Sequence, residues 1–319
     1  SRDFVDTCNN FLGLDLKLPI LSAPMKTVTG WSMARELARL GCLPVLFRTD
    51  KAQDDFLEFR QSKDPAFNTP AVSIGTNRSN LERIAKYVEL GAEIVCLDTA
   101  NGFHFSVKNA IKSIKVVFPK LKIIAGNIGS LEGYKFLEDC GADAVRVGIG
   151  NGSVCSTSIA TGIGMGQVTL LEDIKEYRLY KESSPKVIAD GGIKEPGDIC
   201  KALGLGADVV MIGGLLAGTN EAPGTVTEYI DGRKRTKQYA GEASRSTKGN
   251  TARYIEGVST EIVCKGPVSE VIDELRDGLR SSMAYMNCHN LEMFRALSVD
   301  NFVQLSQNAR EERTPHINK

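Results

Sequence analysis

Short apolar runs recur along the whole chain, separated by segments in which apolar residues return at helical spacing. The runs are rich in Val, Ile, Leu and Ala and are scarcely interrupted by polar residues. This pattern is typical of parallel strands that are buried on both faces. The pattern therefore predicts eight strands, at 18–25, 43–47, 70–75, 94–100, 122–127, 144–150, 187–192 and 209–214.

The segments between the strands predict helices, and a local signature predicts how those helices end. Residues 80–90 and 195–203 are amphipathic with helical spacing. A glycine followed by alanine and an acidic residue stands directly before three of the strands, as Gly91-Ala92-Glu93, Gly141-Ala142-Asp143 and Gly206-Ala207-Asp208. Such a glycine ends a helix and turns the chain into the next strand. A β-α unit repeated eight times predicts an α/β fold of the (β/α)₈ TIM-barrel type, in preference to an open doubly wound sheet.

A polar stretch over 231–250 follows the last barrel strand and lacks apolar periodicity. It is either a solvated surface loop or part of a mobile lid, at about 231–258, over the C-terminal face of the strands. A last long helix is predicted over 268–285, and the tail from Gln304 onward is polar. We expect one domain over 1–319.

Composition narrows the function classes. The formal net charge is zero, so no global basic field favours nucleic acid or an anionic membrane. The apolar runs are too short for a membrane span or a secretory signal, which predicts a cytoplasmic protein. Eight cysteines without a C-x-x-C pair argue against zinc and against a disulfide framework.

One thiol stands apart from the other seven. Cys155 lies in the loop Gly148-Ile149-Gly150-Asn151-Gly152-Ser153-Val154-Cys155, directly after an apolar strand. Glycines free the backbone to direct N–H groups at an anion, and a thiol in a polar loop is a candidate nucleophile. The alternative is an ordinary glycine turn beside a small buried cysteine. The first interpretation predicts covalent chemistry on a phosphorylated substrate.

Two further glycine turns support a phosphate site. Gly191-Gly192 and Gly213-Gly214 follow the seventh and eighth strands, where many barrels of this type bind phosphate. Asp190, just before the first turn, suits a ribose diol because a carboxylate accepts two hydrogen bonds. Its alternative role is a helix N-cap.

These motifs appear together and in order in a known family. They are the cysteine loop with the following Thr161-Gly162-Ile163-Gly164-Met165-Gly166-Gln167, Asp190-Gly191-Gly192, Gly213-Gly214 with Ala217-Gly218, and Glu256-Gly257 before Lys265-Gly266. Over nearly its whole length the chain resembles the IMP dehydrogenase and GMP reductase family. The resemblance implies a homotetramer in which the cysteine attacks C2 of a purine nucleotide to form a thioimidate.

The resemblance also implies residue roles. Catalysis would belong to Cys155, Thr157 and Glu256. Substrate contacts would come from Ser153, Asp190, Gly191, Gly192, Gly213, Gly214, Tyr239, Gly241, Glu242, Arg253 and Gly257. Cofactor contacts would come from Asp98, Thr99, Ala100, Asn101 and Gly150. Potassium would be bound by backbone carbonyls of the cysteine loop, at Gly150, Gly152 and Cys155.

The two branches of this family run opposite chemistry. Asp98-Thr99-Ala100-Asn101-Gly102, the short segment 239–256, the spacing within 239–244 and the absence of a regulatory CBS insertion after the second strand resemble the reductases. They predict an NADPH-dependent GMP reductase that converts GMP to IMP and ammonia. Departures from the family pattern stand at Lys26, Gly166, Glu242 and Val258, and Val258 slightly favours the dehydrogenases. The alternatives are an IMP dehydrogenase without a regulatory domain, a catalytically silent purine-nucleotide sensor and a flavin-dependent barrel.

Overall fold

Eight parallel strands form the centre of the molecule. A computed structural model of the chain describes residues 2–49, 52–61, 69–77, 80–229, 235–241, 244, 257–297 and 302–307. The barrel strands are β3 (Ile20–Ser22), β4 (Val45–Leu46), β5 (Ala71–Ile74), β6 (Ile94–Asp98), β7 (Lys122–Ile128), β8 (Ala144–Val147), β9 (Lys186–Asp190) and β10 (Val209–Ile212). Every predicted strand is confirmed.

The sheet closes on itself. Its strand order is β3-β10-β9-β8-β7-β6-β5-β4, and a parallel bridge between Leu21 and Leu43 joins the two ends. The amide of Leu43 donates to the carbonyl of Ile20 over 3.0 Å, and Ser22 donates to Leu43 over 3.2 Å. These bonds make the sheet a nearly closed (β/α)₈ barrel, as predicted.

The helices lie outside the barrel. They are α1 (Trp31–Arg39), α2 (Ala52–Gln61), α3 (Asn80–Glu89), α4 (Phe105–Val117), α5 (Leu131–Cys140), α6 (Thr157–Thr161), α7 (Gln167–Arg178), α8 (Pro196–Gly204), α9 (Val268–Tyr285) and α10 (Leu291–Leu297). The predicted helices at 80–90, 195–203 and 268–285 are confirmed. Gly141 ends α5 with a φ of 91°, which is the left-handed cap that favours glycine. No helix in the described ranges is long and apolar enough to cross a membrane.

A short hairpin plugs the N-terminal end of the barrel. Strands β1 (Asn9–Phe11) and β2 (Leu14–Leu16) pair antiparallel, and Phe11 and Leu16 are fully buried in the cluster that fills the barrel interior. Leu12 and Gly13 both have positive φ, as a two-residue hairpin turn requires. The sequence pattern did not predict this hairpin.

The acidic residue of the Gly-Ala-Asp signature clamps the start of a neighbouring strand. Asp143 accepts from the backbone N–H of Ile123 over 2.8 Å and from Lys115 and Lys122. Asp208 accepts from Val187 N–H over 2.8 Å, and it pairs with Lys186 and Arg178. The repeat therefore fixes strand register at the N-terminal end of the barrel.

A small antiparallel sheet lies beyond the barrel strands. Strand β12 (Arg235–Ala240) pairs with β11 (Thr227–Glu228) and with β13 (Ser259–Val263). Part of the polar stretch predicted to be irregular is therefore a strand. Residues 230–234, 242–243 and 245–256 lie outside the described residues, so a mobile lid over about 231–258 stays a prediction.

Candidate active site

A cavity of about 280 Å³ opens at the C-terminal end of the barrel strands. The cysteine loop forms one wall and the ends of β6, β8 and β9 form another. Residues with predicted roles in catalysis or in binding substrate, cofactor or potassium meet there, namely Asp98, Thr99, Ala100, Gly150, Gly152, Cys155, Thr157, Asp190, Tyr239, Gly241 and Gly257. Segments far apart in sequence thus converge on one site.

Cys155 is half-buried at this cavity with a hydroxyl beside it. Its Sγ lies 3.2 Å from Thr157 Oγ1, within hydrogen-bonding range for sulfur. Cys42 and Cys96 are fully buried, and burial raises the pKa of each thiol to about 12. Those two thiols are enclosed, whereas the Cys155 thiol lines the cavity beside a hydroxyl group.

The cysteine loop is held by backbone contacts with the small sheet. Cys155 forms an antiparallel bridge with Gly257, and Ser244 bridges the same glycine. Val258 N–H donates to the Val154 carbonyl over 3.0 Å. A side chain on Gly241 would stand 2.9 Å from that carbonyl, so glycine permits this close approach. The sheet therefore brings Gly257, the neighbour of Glu256 in sequence, beside Cys155.

The turn Gly213-Gly214, directly after β10, lies beside the cavity and packs closely against neighbouring side chains. A Cβ on Gly214 would stand 2.9 Å from Ser153 Oγ, and one on Gly213 would stand 3.2 Å from Met25 Sδ. Both would come within 3.5 Å of the Tyr239 hydroxyl. Burial raises the pKa of Tyr239 to about 12, although a hydrogen bond with Ser153 opposes the shift. Ser153, Tyr239 and the two glycines thus present hydroxyl and backbone donors together.

A lysine, Lys265, contacts the backbone of this turn. Lys265 Nζ donates to the carbonyls of Gly214 over 2.9 Å and of Leu215 over 3.2 Å. Burial lowers the pKa of Lys265. By donating to these carbonyls, Lys265 holds the turn in place. The sequence analysis assigned no role to this lysine.

Asp190 is the last residue of β9 and lies at the cavity. Protein donors hold one oxygen of its carboxylate. Its Oδ2 accepts from Arg146 Nε over 3.0 Å, from Arg146 Nη2 over 2.8 Å and from Asn127 Nδ2 over 2.7 Å. Within the described ranges, no residue donates to Oδ1 of Asp190. Gln167 Nε2 also donates to the Asp190 carbonyl over 3.0 Å. One carboxylate oxygen is therefore fixed and the other remains available to a ligand.

Asp98 ends β6 on the other side of the cavity. Arg146 Nη1 donates to Asp98 Oδ1 over 2.5 Å, and Arg48 Nη1 donates to the Asp98 carbonyl over 2.6 Å. Burial opposes the charge of Arg146, but Asp190 and Asp98 outweigh it and raise the pKa of Arg146 well above its ordinary value. Thr99 donates to the Gly126 carbonyl over 2.7 Å. These bonds hold the predicted cofactor loop in place.

Some predicted residues lie away from the cavity, and some functional candidates were missed. Gly192 lines a separate cavity beside Gln167 and Lys194, and Asn101 is exposed with its side chain accepting from Phe103 N–H over 2.9 Å. Gly191 packs against the cysteine loop, since a Cβ there would stand 3.0 Å from Gly152 N. Predicted residues outside the described ranges are Glu242, Arg253 and Glu256. The missed residues include Arg48, Arg146, Asn127 and Lys265.

Comparisons with known proteins agree with this arrangement. A family model described as the IMP dehydrogenase / GMP reductase domain matches residues 5–316. The chain is 38% identical over 260 residues to an inosine-5'-monophosphate dehydrogenase of Chlorobaculum parvum, a match covering 76% of this chain and 51% of that protein. It is 40% identical over 232 residues to the enzyme of that name from Aquifex aeolicus, covering 69% and 46%. It is 38% identical over 256 residues to that of Bacillus subtilis, covering 76% and 51%. The chain thus spans about half the length of the curated relatives it matches.

Proposed function

Because the chain belongs to the IMP dehydrogenase / GMP reductase family, we propose that it oxidises IMP to XMP with NAD through a covalent bond to Cys155. The names of the relatives support the dehydrogenase alternative better than the reductase that the lid spacing favoured. The proposal rests mainly on one observation. Cys155 lines the cavity at the C-terminal end of the barrel strands, and its Sγ lies 3.2 Å from the Thr157 hydroxyl. A nucleophile with a proton-carrying neighbour is what addition to a purine C2 requires.

Cys155 and Thr157 act on the base. The Cys155 thiol gives up its proton, and its sulfur adds to C2 of the hypoxanthine ring. The C2 hydrogen then leaves as hydride and Cys155 is held as a thioimidate. Water attacks C2, the carbon–sulfur bond breaks, and XMP leaves as Cys155 regains a proton. We propose that Thr157 Oγ1, 3.2 Å from the sulfur, relays protons there.

The remaining parts of the nucleotide fit the groups around Cys155. The donors at Ser153, Tyr239 and the Gly213-Gly214 turn suit a phosphate. The free Oδ1 of Asp190 suits a ribose hydroxyl, because an ionised carboxylate only accepts hydrogen bonds. Both assignments are proposals that rest on which groups donate and which accept hydrogen bonds. Both extend the roles expected from the sequence.

The opposite wall fits a nicotinamide cofactor. Asp98, Thr99, Ala100 and Gly150 line the same cavity as Cys155, and Asp98 is a carboxylate fixed by Arg146 and Arg48. A fixed carboxylate of this kind suits ribose hydroxyls. When bound, the cofactor accepts the hydride from C2. We propose NAD as that cofactor, in place of the NADPH expected for a reductase.

We propose no step through potassium. The Gly152 carbonyl, one of the three expected ligands, accepts from Cys155 N–H over 3.0 Å and keeps a second lone pair for a cation. A homotetramer, also expected from the family resemblance, is a further proposal that light scattering of the purified protein would test.

A GMP reductase remains the second candidate, and one observation favours it. The segment from Tyr239 to Glu256 is short, which leaves little chain to carry a water-activating group into the site. Reduction of a thioimidate needs no such water. In that reaction GMP loses ammonia and its covalent intermediate gains hydride.

Assays of two substrate and cofactor pairs separate the two candidates. IMP with NAD and GMP with NADPH are each followed for the change in cofactor absorbance, and the products are identified by chromatography. We expect XMP and NADH from the first pair and little IMP from the second. IMP and ammonia formed from GMP, with no XMP from the first pair, would establish the reductase instead. Turnover of neither pair, with intact binding of IMP, would indicate the silent sensor.

A further inference from the structure

Arg146 lies where the substrate wall and the cofactor wall of the cavity meet. It is the charged residue of the apolar run at 144–150, and its side chain is buried. Through Nη1 it contacts Asp98, while Nε and Nη2 both contact Asp190. One guanidinium thus joins the ends of two strands that are not adjacent, β6 and β9.

We propose that Arg146 is a positioning residue that aligns both ligand-binding carboxylates, Asp190 for the nucleotide and Asp98 for the dinucleotide. The inference rests on the proposed function, since it takes those two ligands from it. It goes further by making one side chain responsible for the affinity of both ligands. Arg146 itself needs no contact with either ligand.

The hydrogen-bond geometry explains how one residue serves both carboxylates. Two nitrogens of Arg146, together with Asn127, occupy Oδ2 of Asp190, which turns Oδ1 away from the guanidinium. The third nitrogen occupies Oδ1 of Asp98. The planar, rigid fork of arginine permits such divided contacts, whereas the ammonium of lysine is a compact point charge.

The surrounding groups leave Arg146 as the cation between the two acids. Arg48 reaches Asp98 from the far side, with 3.5 Å between Nη1 and Oδ2. The remaining neighbour of Arg146 Nη1 is the Cys96 thiol at 3.7 Å. Without Arg146, two carboxylates would face each other across the barrel mouth, and like charges at short range repel. Both would then lose the orientation that a ligand requires.

Variants of Arg146 and of a matched arginine test this inference. Arg146→Met removes the contacts with both Asp98 and Asp190. Arg146→Lys keeps the positive charge but lacks the planar guanidinium. Asn127→Ala removes a donor from Asp190 and none from Asp98, and it also removes the bond from Asn127 Nδ2 to the Gly148 carbonyl. Arg178→Met is the control, because Arg178 pairs with Asp208 at the opposite end of the barrel. For each protein, calorimetry gives the Kd of IMP, and steady-state kinetics give the KM of NAD and kcat.

We expect Arg146→Met to weaken IMP binding and to raise the NAD KM, each by roughly 10- to 100-fold. Arg146→Lys should recover part of both losses. Asn127→Ala should weaken IMP binding and leave the NAD KM within about threefold of wild type. Arg178→Met should lower the melting temperature without changing either affinity. This pattern separates positioning from a general loss of stability.

A loss confined to one ligand, or unchanged affinities in a folded Arg146→Met protein, would overturn the inference. If Arg146→Met does not fold, Arg146→Lys carries the test, and wild-type affinities for both ligands in that variant would also overturn it. Failure of the proposed function looks different, because wild-type protein itself would then form no XMP from IMP and NAD.

Discussion

The two ends of the barrel use the same chemistry for different purposes. At the N-terminal end, Asp143 and Asp208 each lie between cations and use both carboxylate oxygens on protein donors. At the mouth, Asp190 also meets a cation but uses only Oδ2 on the donors described. The acids at the base therefore use both oxygens to hold the fold together, whereas Asp190 keeps Oδ1 beside a cavity, where it can accept from a ligand hydroxyl.

The two ends of the barrel also differ in how much space they leave for a ligand. The N-terminal end is filled by Phe11 and Leu16 of the hairpin, so it has no room for a ligand. The mouth instead has glycines that adjoin a cavity, and a Cβ on Gly214 would meet Ser153 Oγ at 2.9 Å. Substitutions at the mouth should therefore change activity, and those at the base should change stability.

The largest effect is expected for Cys155→Ser. A hydroxyl is a far weaker nucleophile than a thiolate, so kcat should fall by at least about 1,000-fold. Calorimetry should show nearly unchanged binding of IMP, since the proposed phosphate and ribose contacts lie elsewhere. Substantial turnover by a folded Cys155→Ser protein would make the thiol structural and remove the contrast between the two ends.

Gly213→Val should have the next largest effect, on the phosphate end of the site. Its side chain would crowd Met25 and Ala23, which lie 3.2 and 3.3 Å from the first added carbon, and would block the approach of an anion. We expect the KM for the nucleotide to rise roughly 100-fold, with a smaller change in kcat.

Gly197→Val is the matched control, because the contacts of a Cβ there begin at 3.8 Å. Its KM should stay within about threefold of wild type. Equal use of inosine and IMP by the wild-type enzyme would show that the phosphate site is wrongly placed.

Asp208→Ala tests the base of the barrel. It leaves Val187 N–H without its acceptor and removes the partner of Arg178 and Lys186. We expect the free energy of unfolding to fall by about 2–4 kcal/mol, as measured by urea denaturation. The kcat/KM of the folded fraction should change by less than about threefold. A large loss of kcat/KM at full stability would contradict the division between the two ends.

The smallest effect concerns thiol reactivity. At pH 8, iodoacetamide should modify Cys155 and leave Cys42 and Cys96 unmodified, with peptide mass spectrometry as the measurement. A pKa raised to about 12 keeps both buried thiols protonated, so they stay unreactive until the pH approaches that value or the protein unfolds. IMP should protect Cys155 alone. Labelling of Cys42 at pH 8 in folded protein would show that the barrel opens.

Much of the barrel could be predicted because its strands are continuous apolar runs with glycine signals between them. The hairpin was missed because its strands have three residues each and its turn places Leu12 at positive φ, which is uncommon for that residue type. The helix α9 was predicted to the residue because its apolar stripe is long and regular.

The candidate site was predicted where a residue type itself carries the chemistry, as with Cys155 and Asp190. Arg146 was missed because its role depends on Asp98 and Asp190, which are 48 and 44 residues away in sequence. A charge inside an apolar strand run was the signal that could have found it. Gly192 was predicted to contact phosphate because it follows Gly191 in the same turn, but it lines a separate cavity. A sequence pattern does not reveal which cavity a glycine in a turn faces.

The most direct test of the account is the covalent bond at Cys155. Wild-type protein is mixed with IMP and NAD, quenched in acid within the first turnovers, digested and examined by peptide mass spectrometry. We expect the nucleotide mass on the peptide that contains Cys155, and its absence in Cys155→Ser. Steady turnover with no adduct at Cys155, or with the adduct on another cysteine, would contradict the account.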